Sequence, residues 1–379
     1  MLVEQCSWTP AGGWQPAGPG RLPHPPQLVL VFGSPHVLER RGLMYELNQV
    51  YPAAHIVGCS TAGEICDTQV LDDSLVATAI WFEHSRVQLA SVCLDTVSDS
   101  YAAGQLLARA LDPEGLVHVL VFSDGLQVNG SLLVDGLVAH LPPSVTATGG
   151  LSGDGARMQR TLVCAGGPPE VGVIAVVGLY GDRLSVGYGS MGGWDPFGPE
   201  RIITRSSGNV LFELDGQSAL GLYKRYLGDS VNELPLSALR FPLTVREANS
   251  QNSLVRTVLA VDEDDQSMTF AGDVPEGSYA RLMTANFDRL VDGAMGAART
   301  TCEAVGASSP DLALLISCVG RKLVLQQRIE EEVEGVREVL GPKPVLAGFY
   351  SYGEISPFTP NATCELHNQT MTITTFSEQ

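Results

Sequence analysis

The sequence predicts an α/β protein with mixed sheets, built in two domains from repeated βαβ units that each end in a β-hairpin. The chain has 379 residues, which is more than one typical domain core holds. The octapeptides GCSTAGEI (58–65) and GFYSYGEI (348–355) repeat one pattern far apart in the chain. Around both, apolar runs of strand length alternate with segments of helical periodicity. Together these observations indicate a duplicated α/β unit rather than a single irregular domain.

The N-terminal segment is the part of the chain that the repeats leave out. Residues 1–26 are rich in proline and glycine and lack the basic start and apolar core of a secretion signal. We expect this segment to be flexible. The longest apolar run, VGVIAVVGLY (171–180), is far shorter than the roughly 20 residues that a transmembrane helix needs. The sequence therefore predicts a soluble, cytoplasmic protein that does not insert into a membrane.

The first repeat unit begins at QLVLVFGS (27–34), an apolar run typical of a strand buried on both faces. Residues 35–50 follow with apolar side chains at helical spacing. Next comes AHIVGCSTAGEI (54–65), a strand that ends in a glycine loop. The last two strand-like runs, SLVATAIWF (74–82) and RVQLASVCL (86–94), are separated by only three polar residues, which predicts a hairpin.

The second unit repeats this order from residue 116. LVHVLVFSDG (116–125) predicts its first strand, and residues 130–141 predict its helix. VTATGGLSGDG (145–155) is the strand and glycine loop, and the link GDR joins GVIAVVGLY (172–180) to LSVGYGSM (184–191) as a second hairpin.

The third unit occupies the C-terminal part of the chain. Its strand is LALLISCVGR (312–321), a charged helix is expected near 326–340, and PVLAGFYSYGEI (344–355) holds the loop. ELHNQTMTITTF (365–376) is the closing strand. We expect the first and third loops to occupy equivalent positions after equivalent strands.

The loop of the second unit is one residue shorter than the other two. We expect Gly149, Gly153 and Asp154 to stand where the other loops have their two glycines and their glutamate. Residues 190–310, between the second and third units, have a different composition, with a glycine- and proline-rich start. The sequence therefore predicts two domains, 27–216 and 217–379.

Charge and cysteine content exclude several classes of partner. The net charge of −19 argues against a surface that binds phosphates, so we expect neither nucleic acid nor an anionic membrane as a partner. The eight cysteines lack CxxC spacing, which favours reduced thiols over disulfides or a metal site.

The strand ends and loops carry groups that suit a small zwitterionic ligand. Ligands of open α/β sheets bind beyond the carboxyl ends of the strands. There, loop N–H groups and Arg321 would hold a carboxylate, and Glu64 or Glu354 would hold an ammonium group. The predicted ligand-binding residues are Gly58, Ser60, Thr61, Gly63, Glu64, Ser152, Asp154, Arg321, Ser351, Gly353, Glu354 and His367. The alternative is structural: the glutamates cap local amides, and Arg321 ties the C-terminal strand to its neighbours.

The sequence supports catalysis less well than binding. Cys59 and Cys318 each follow a strand, where a nucleophile could be presented, but no histidine stands at a recognisable spacing from either. An enzyme with a cysteine nucleophile, acting on an amino-acid-like substrate, is the alternative hypothesis. His367 could carry a proton, serve as an axial ligand, or be a hydrogen-bonded structural group.

Six motifs, in this order, resemble the FIST family (F-box and intracellular signal transduction proteins): GCSTAGEI, GGLSGDG, ELDGQSAL, SCVGRK, GFYSYGEI and ELHNQTMTI. The resemblance implies FIST N-terminal and C-terminal domains and a sensory protein for small ligands, with amino acids often proposed. No kinase, cyclase or receptor segment follows residue 376, so we expect a separate signalling protein as partner. Some relatives look like haem-binding gas sensors. We expect no cofactor, with haem and His367 as the alternative.

Overall fold

The structure is a computed structural model that describes residues 1–234, 236–248, 253–305, 309–358 and 362–379. Up to residue 191 the strands are β1 (Leu2–Thr9), β2 (Gly13–Gln15), β3 (Leu28–Gly33), β4 (His55–Ser60), β5 (Glu64–Cys66), β6 (Gln69–Leu71), β7 (Leu75–Trp81), β8 (Arg86–Cys93), β9 (Leu116–Ser123), β10 (Thr146–Leu151), β11 (Val163–Ala165), β12 (Val173–Tyr180) and β13 (Leu184–Met191). The helices of this part are α1 (Pro35–Leu38), α2 (Arg41–Val50), α3 (Ser100–Ala110) and α4 (Gly130–Val138).

From residue 194 onward the strands are β14 (Trp194–Ser207), β15 (Val210–Leu214), β16 (Gln217–Ser218), β17 (Leu243–Arg246), β18 (Leu254–Arg256), β19 (Val258–Asp262), β20 (Ser267–Phe270), β21 (Tyr279–Ala285), β22 (Leu312–Cys318), β23 (Val345–Ser351), β24 (Gly353–Pro357), β25 (Cys364–His367) and β26 (Met371–Glu378). The helices are α5 (Ala219–Leu227), α6 (Phe287–Val305), α7 (Val319–Leu325) and α8 (Ile329–Leu340). Within the described ranges, no helix combines the length and apolar content needed to cross a membrane.

Three six-stranded sheets with one common plan form the body of the protein. Their strand orders are β11-β4-β3-β7-β1-β2, β25-β24-β10-β9-β12-β8 and β6-β5-β23-β22-β26-β13. Each has a central parallel pair, β3/β4, β9/β10 or β22/β23, and an antiparallel neighbour, β7, β12 or β26. The central strands β3 and β22 are buried along their whole length, as their uninterrupted apolar runs predict. The α/β class with mixed sheets is confirmed.

The two predicted hairpins are wrong. β7 pairs with β3 on one edge and with β1 on the other, so no edge remains for β8. β8 instead pairs along its whole length with β12, in the next sheet. β12 has β9 and β8 on its two edges, so no edge remains for β13. β13 instead pairs with β26 in the third sheet. The first and second units therefore contribute strands to all three sheets and the third unit to two, so the units are joined by exchanged strands.

The N-terminal segment, expected to be flexible, contains a strand of the first sheet. β1 pairs with β7 from Leu2↔Trp81 to Trp8↔Leu75, and fills the edge that β8 and β13 fill in the other sheets. The carboxylate of Glu4 accepts hydrogen bonds from the backbone N–H groups of Gly20, Arg21 and Leu22 at 2.7–2.9 Å. The proline and glycine content of residues 1–26 predicted a flexible segment, but β1 is held in place by its pairing with β7.

The equivalence of the loops is confirmed by strand register. Gly58, Gly149 and Gly348 lie opposite Val31, Val121 and Leu315 in the three parallel pairs. A Cβ atom on any of these glycines would lie 1.8–2.0 Å from the carbonyl oxygen of its partner. All three positions therefore require glycine. Three residues that stand one or two positions before β7, β12 and β26 also match: Asp73, Gly172 and Gln369 all have a positive φ of 53–68°.

The core of the body lies between the three sheets. One phenylalanine from each unit meets there: Phe32, Phe122 and Phe349, with ring centroids 4.7–6.4 Å apart. Residues 194–285 form a separate lobe, inserted between β13 and α6. Its sheet has the order β18-β17-β21-β14-β15-β20-β19, with β16 paired to β15, and α5 packs on it around a core of its own. The predicted domain boundary at 216/217 falls inside this lobe.

Candidate functional site

Three loops meet where β4, β10 and β23 end. The N–H of Ala62 donates to the carbonyl of Tyr350, and the N–H of Gly153 donates to the carbonyl of Ser60, both at 2.8 Å. The N–H of Tyr352 closes the circle by donating to Leu151 O at 3.1 Å. We call these segments, residues 60–63, 151–153 and 350–353, the loop ring. It contains six of the twelve residues predicted to bind ligand: Ser60, Thr61, Gly63, Ser152, Ser351 and Gly353.

Glu64 and Glu354 occupy matching cages beside the loop ring. Glu64 accepts hydrogen bonds from the hydroxyls of Thr61 (2.5 Å) and Ser74 (2.6 Å). Glu354 accepts from the hydroxyl of Ser351 (2.6 Å) and from the hydroxyl and N–H of Thr370 (3.0 and 3.1 Å). Both side chains are buried, and burial raises the pKa of each carboxyl from 4.5 to about 7. These contacts resemble the structural alternative, since each carboxyl binds groups of its own neighbourhood, but hydroxyls provide most of them and only Glu354 accepts a backbone N–H.

The second unit lacks the corresponding glutamate. Strand register places Val163 at the position of Glu64 and Glu354, because the following residues, Cys164, Ile65 and Ile355, each lie opposite one of the three matched glycines. The hydroxyl of Ser152, which corresponds to Thr61 and Ser351, is buried and has no hydrogen-bond partner among the described residues.

Asp154 does not take the role of the missing glutamate. The connection between β10 and β11 is longer than its counterparts, which the sequence comparison did not detect. Asp154 lies within it, and its carboxylate accepts the backbone N–H groups of residues 158, 159 and 160 at 2.8–2.9 Å. The hydroxyl of Tyr352 also donates to Asp154. Asp154 therefore shapes this connection and anchors it to the loop ring.

Arg321 lies outside the loop ring and is structural. The side chain is fully buried and forms an ion pair with Glu332 at 2.7 Å. Its other guanidinium contacts are the carbonyls of Gly192 (2.6 Å) and Leu290 (2.7 Å). Tyr350 donates to the same glutamate at 2.7 Å. The expectation that Arg321 holds a ligand carboxylate is corrected: its contacts already occupy the guanidinium, and its burial leaves no room for a ligand.

His367 and the two candidate nucleophiles are also buried. Nε2 of His367 lies 2.8 Å from the carbonyl of Ser356, and burial lowers the pKa of this imidazole to about 4. These contacts do not suit an axial haem ligand, because Nε2 is already engaged. Burial raises the pKa of the Cys59 and Cys318 thiols above the usual range. A thiol that stays protonated at neutral pH is a poor nucleophile, so neither cysteine suits the enzyme hypothesis.

The remaining predicted residues have backbone roles. The Ser60 hydroxyl accepts the N–H of Leu162 at 2.8 Å and so joins the first unit to the second. Gly58 lies within β4, and Gly63 and Gly353 stand directly before the two buried glutamates. All twelve predicted residues are buried, and none of them lines the cavity described next.

A cavity of about 170 Å³ lies at the carboxyl ends of β9 and β10, between the body and the lobe. We call it the seam cavity. Its body wall consists of Gly125, Leu126, Val128, Asn129, Gly130, Leu151, Met158 and Tyr352, and its lobe wall of Asn209, Leu259, Phe270, Ala271 and Gly272. The lining is mostly apolar, with the amides of Asn129 and Asn209 and the hydroxyl of Tyr352 as its polar side-chain groups. None of these lining residues is charged.

Hydrogen bonds fix the body wall of the seam cavity. One oxygen of Asp124 accepts the N–H groups of Leu126 and Gln127, both at 2.8 Å, and the other accepts Gly172 N–H at 3.0 Å. The side chain of Asn129 caps α4 and also donates to Asp273 of the lobe at 3.2 Å. The strand end FSDG pointed to this edge of the sheet. Nothing in the sequence indicated the lobe wall, because its residues become neighbours of the body only by tertiary packing.

Comparison with known proteins gives a family match. Residues 27–217 match the FIST N domain, and residues 219–357 match the FIST C domain. No curated protein matches the chain. Among solved structures, the cyanuric acid hydrolase from A. caulinodans is similar with a TM-score of 0.22 and 9% identity, over 78% of this chain and 68% of that chain. A TM-score this low carries no argument about fold or function.

Proposed function

Because the chain belongs to the FIST family, whose domains are sensory domains of signal transduction, we propose that it binds a small ligand in the seam cavity and signals through a separate partner protein. One observation carries this proposal. The seam cavity has walls from both FIST domains: residues 125–158 and 209 lie in the FIST N domain, and residues 259–272 and 352 lie in the FIST C domain. Small-molecule sites occur preferentially at such interfaces.

A ligand in this position would be coupled to the arrangement of the protein. It would contact the lobe and the body at once, so that it stabilises one relative placement over others. Tyr352 belongs to both the cavity wall and the loop ring, and it carries the contact to the connection around Asp154. A ligand in the seam cavity would thus act, through Tyr352, on the loop ring that all three units share, as a sensor requires.

The lining favours a ligand with an apolar part and a few hydrogen-bonding groups. Leu151, Phe270 and Met158 would contact the apolar part. The amides of Asn129 and Asn209, with the N–H groups of the first turn of α4, would contact the polar part. We propose an apolar amino acid or an uncharged analogue of one. Since no lining side chain carries charge, an ammonium group would have to be met by carbonyl oxygens.

A thermal-shift screen with the twenty amino acids and their amides tests the proposal. A ligand at 100 times its dissociation constant stabilises the protein by about 2.7 kcal/mol. The variant Ala271→Leu should lose this shift, because the added side chain fills the lobe wall. The matched control is Ala362→Leu, which lines a different cavity beside residues 138–147 and should keep the shift. A full shift in Ala271→Leu would place the ligand elsewhere.

A further inference from the structure

The lobe is attached to the body at a narrow root. The chain enters it just before β14 and leaves just after β21, and these strands pair with each other there, Trp194↔Ala285. Arg321 holds both sides of the root through the carbonyls of Gly192 and Leu290. The indole N–H of Trp194 adds a hydrogen bond to the carbonyl of Gln369 at 2.8 Å. The root is therefore the firmly held part of the junction.

Away from the root, the described residues form few hydrogen bonds between lobe and body. Arg256 donates to Leu366 O at 3.0 Å, and Gln369 donates to Leu239 O at 3.2 Å. Asn129 donates to Asp273 at 3.2 Å, and the Thr257 N–H reaches the side-chain oxygen of Asn368 only at 3.4 Å. Two buried polar atoms in this region, Oγ1 of Thr257 and Oε1 of Gln369, have no partner among the described residues. Leaving a buried polar atom unpaired costs free energy, so these two atoms weaken the contact between lobe and body away from the root.

Carboxylates from both sides face each other in a second cavity of about 210 Å³ in the same junction. Asp135 and Glu365 come from the body, and Glu247 and Asp273 from the lobe. We call these four residues the acidic seam. Arg256 is the one cation among the described residues that line this cavity. Burial and Asp273 raise the pKa of Asp135, and burial, Glu247 and Asp135 raise that of Glu365 against the opposite effect of Arg256.

Two other titratable side chains lie close to the acidic seam. His367, in the same strand as Glu365, is buried and neutral because its pKa is lowered to about 4. Arg246 of β17 forms an ion pair with Glu200 at 3.0 Å. Across the junction, Arg256 of the lobe attracts Glu365, whereas Asp273 of the lobe repels Asp135. Four carboxylates therefore share the cavity with one guanidinium whenever the lobe is closed, and repulsion across the junction falls mainly on Asp135.

We propose that the lobe opens and closes on its root, and that repulsion within the acidic seam keeps the closed state close to balance with the open one. Protonation or salt screening of these carboxylates would then favour closure. Opening would expose the lobe wall of the seam cavity. The role of this motion in ligand access rests on the proposed function, whereas the motion itself does not.

Hydrogen exchange followed by mass spectrometry tests the motion without any ligand. The reporter is the peptide around 253–258, because the Thr257 amide bonds across the junction, and the reference is the β9 peptide. In Asp135→Asn, at pH 7.5 and low salt, the reporter should exchange roughly threefold to tenfold more slowly, and the reference should not change. About 0.5 M salt should remove most of this difference between variant and wild type.

Glu334→Gln, which neutralises an exposed glutamate of α8, is the matched control and should leave both peptides unchanged. Equal slowing of reporter and reference in Asp135→Asn would mean a gain in global stability and would overturn the proposal. So would an unchanged reporter. A failed ligand screen would leave this result standing, and a failed exchange experiment would leave the binding result standing.

Discussion

The two buried glutamates beside the loop ring accept hydrogen bonds almost entirely from hydroxyl groups. Thr61 and Ser74 surround Glu64, and Ser351 and Thr370 surround Glu354. Hydroxyls can donate to a carboxylate or accept from a carboxylic acid, so these cages accommodate both protonation states. The choice between the states is then set mainly by burial, which disfavours the charged form.

The first prediction concerns Glu64→Gln. The pKa of Glu64 is raised in the folded protein to about 7 from 4.5, so folding favours the protonated form. This stabilisation is fully present below pH 4.5 and is lost as the pH rises through 7, a loss of about 3 kcal/mol. Glutamine cannot ionise, so the variant should lose less stability than the wild type between pH 5 and pH 8. Urea unfolding at four pH values measures this.

The exposed substitution Glu334→Gln controls for the change in net charge and should follow the wild-type pH profile. Glu354→Gln should behave as Glu64→Gln does, since its cage has the same design. Parallel profiles for Glu64→Gln and wild type would show that the carboxyl titrates well below pH 7.

At the scale of elements, the parallel strand pairs depend on glycine at one register position. Gly149 lies opposite Val121, and a Cβ atom there would come within 2.0 Å of that residue's carbonyl oxygen. Neither strand can move away, because β9 also pairs with β12 and β10 with β24. The neighbouring strands therefore hold the close approach in place.

The second prediction is that Gly149→Ala forces β9 and β10 apart and prevents stable folding. Strand separation would break a parallel ladder of six residue pairs, from Thr146↔His118 to Leu151↔Ser123. Soluble yield and the urea midpoint are the measurements. The control is Gly42→Ala in α2, where a Cβ meets nothing within 4 Å and alanine should stabilise the helix by up to about 1 kcal/mol. A Gly149→Ala protein with wild-type stability would show that the strands tolerate the added atom.

The sequence predicted the positions of strands and helices better than it predicted which strands pair. The equivalence of Gly58, Gly149 and Gly348 was visible because close backbone approach leaves only one possible residue. The hairpins were wrong because pairing depends on which strand edges are free, and β1 takes the edge beside β7. Arg321 was predicted to bind a ligand, and no pattern in the sequence indicated its buried partner Glu332, which lies in the helix predicted to be charged. A side chain of this kind reveals its burial only through packing.

At the scale of the whole molecule, β1 fills a position in the first sheet that none of the three units supplies. It occupies in the first sheet the edge that β8 and β13 occupy in the others. Beyond this pairing, the side chain of Gln5 donates to Leu346 O at 2.9 Å, in the third sheet. The N-terminal strand therefore joins the first and third units directly.

The third prediction is that removing residues 1–10 destabilises the entire body. Loss of β1 would expose the β7 edge and unpair seven residues of that strand, and an open edge promotes association between molecules. The truncated protein should unfold at lower urea concentration and show larger species on size exclusion. Removal of residue 379 alone, which is exposed and follows β26, is the control and should have a smaller effect. Similar behaviour of both truncations would mean that β1 adds little to the body.

The exchange of strands between units also dictates the order in which the protein can be assembled on the ribosome. β13 is complete at residue 191, yet its partner β26 begins only at residue 371. β5 waits even longer, since its neighbour β23 ends at residue 351. At 5–20 residues per second, β5, which can pair at once with β6, waits on the order of 30 s for β23 to be synthesised. Of the three sheets of the body, the third is thus the last to form during synthesis.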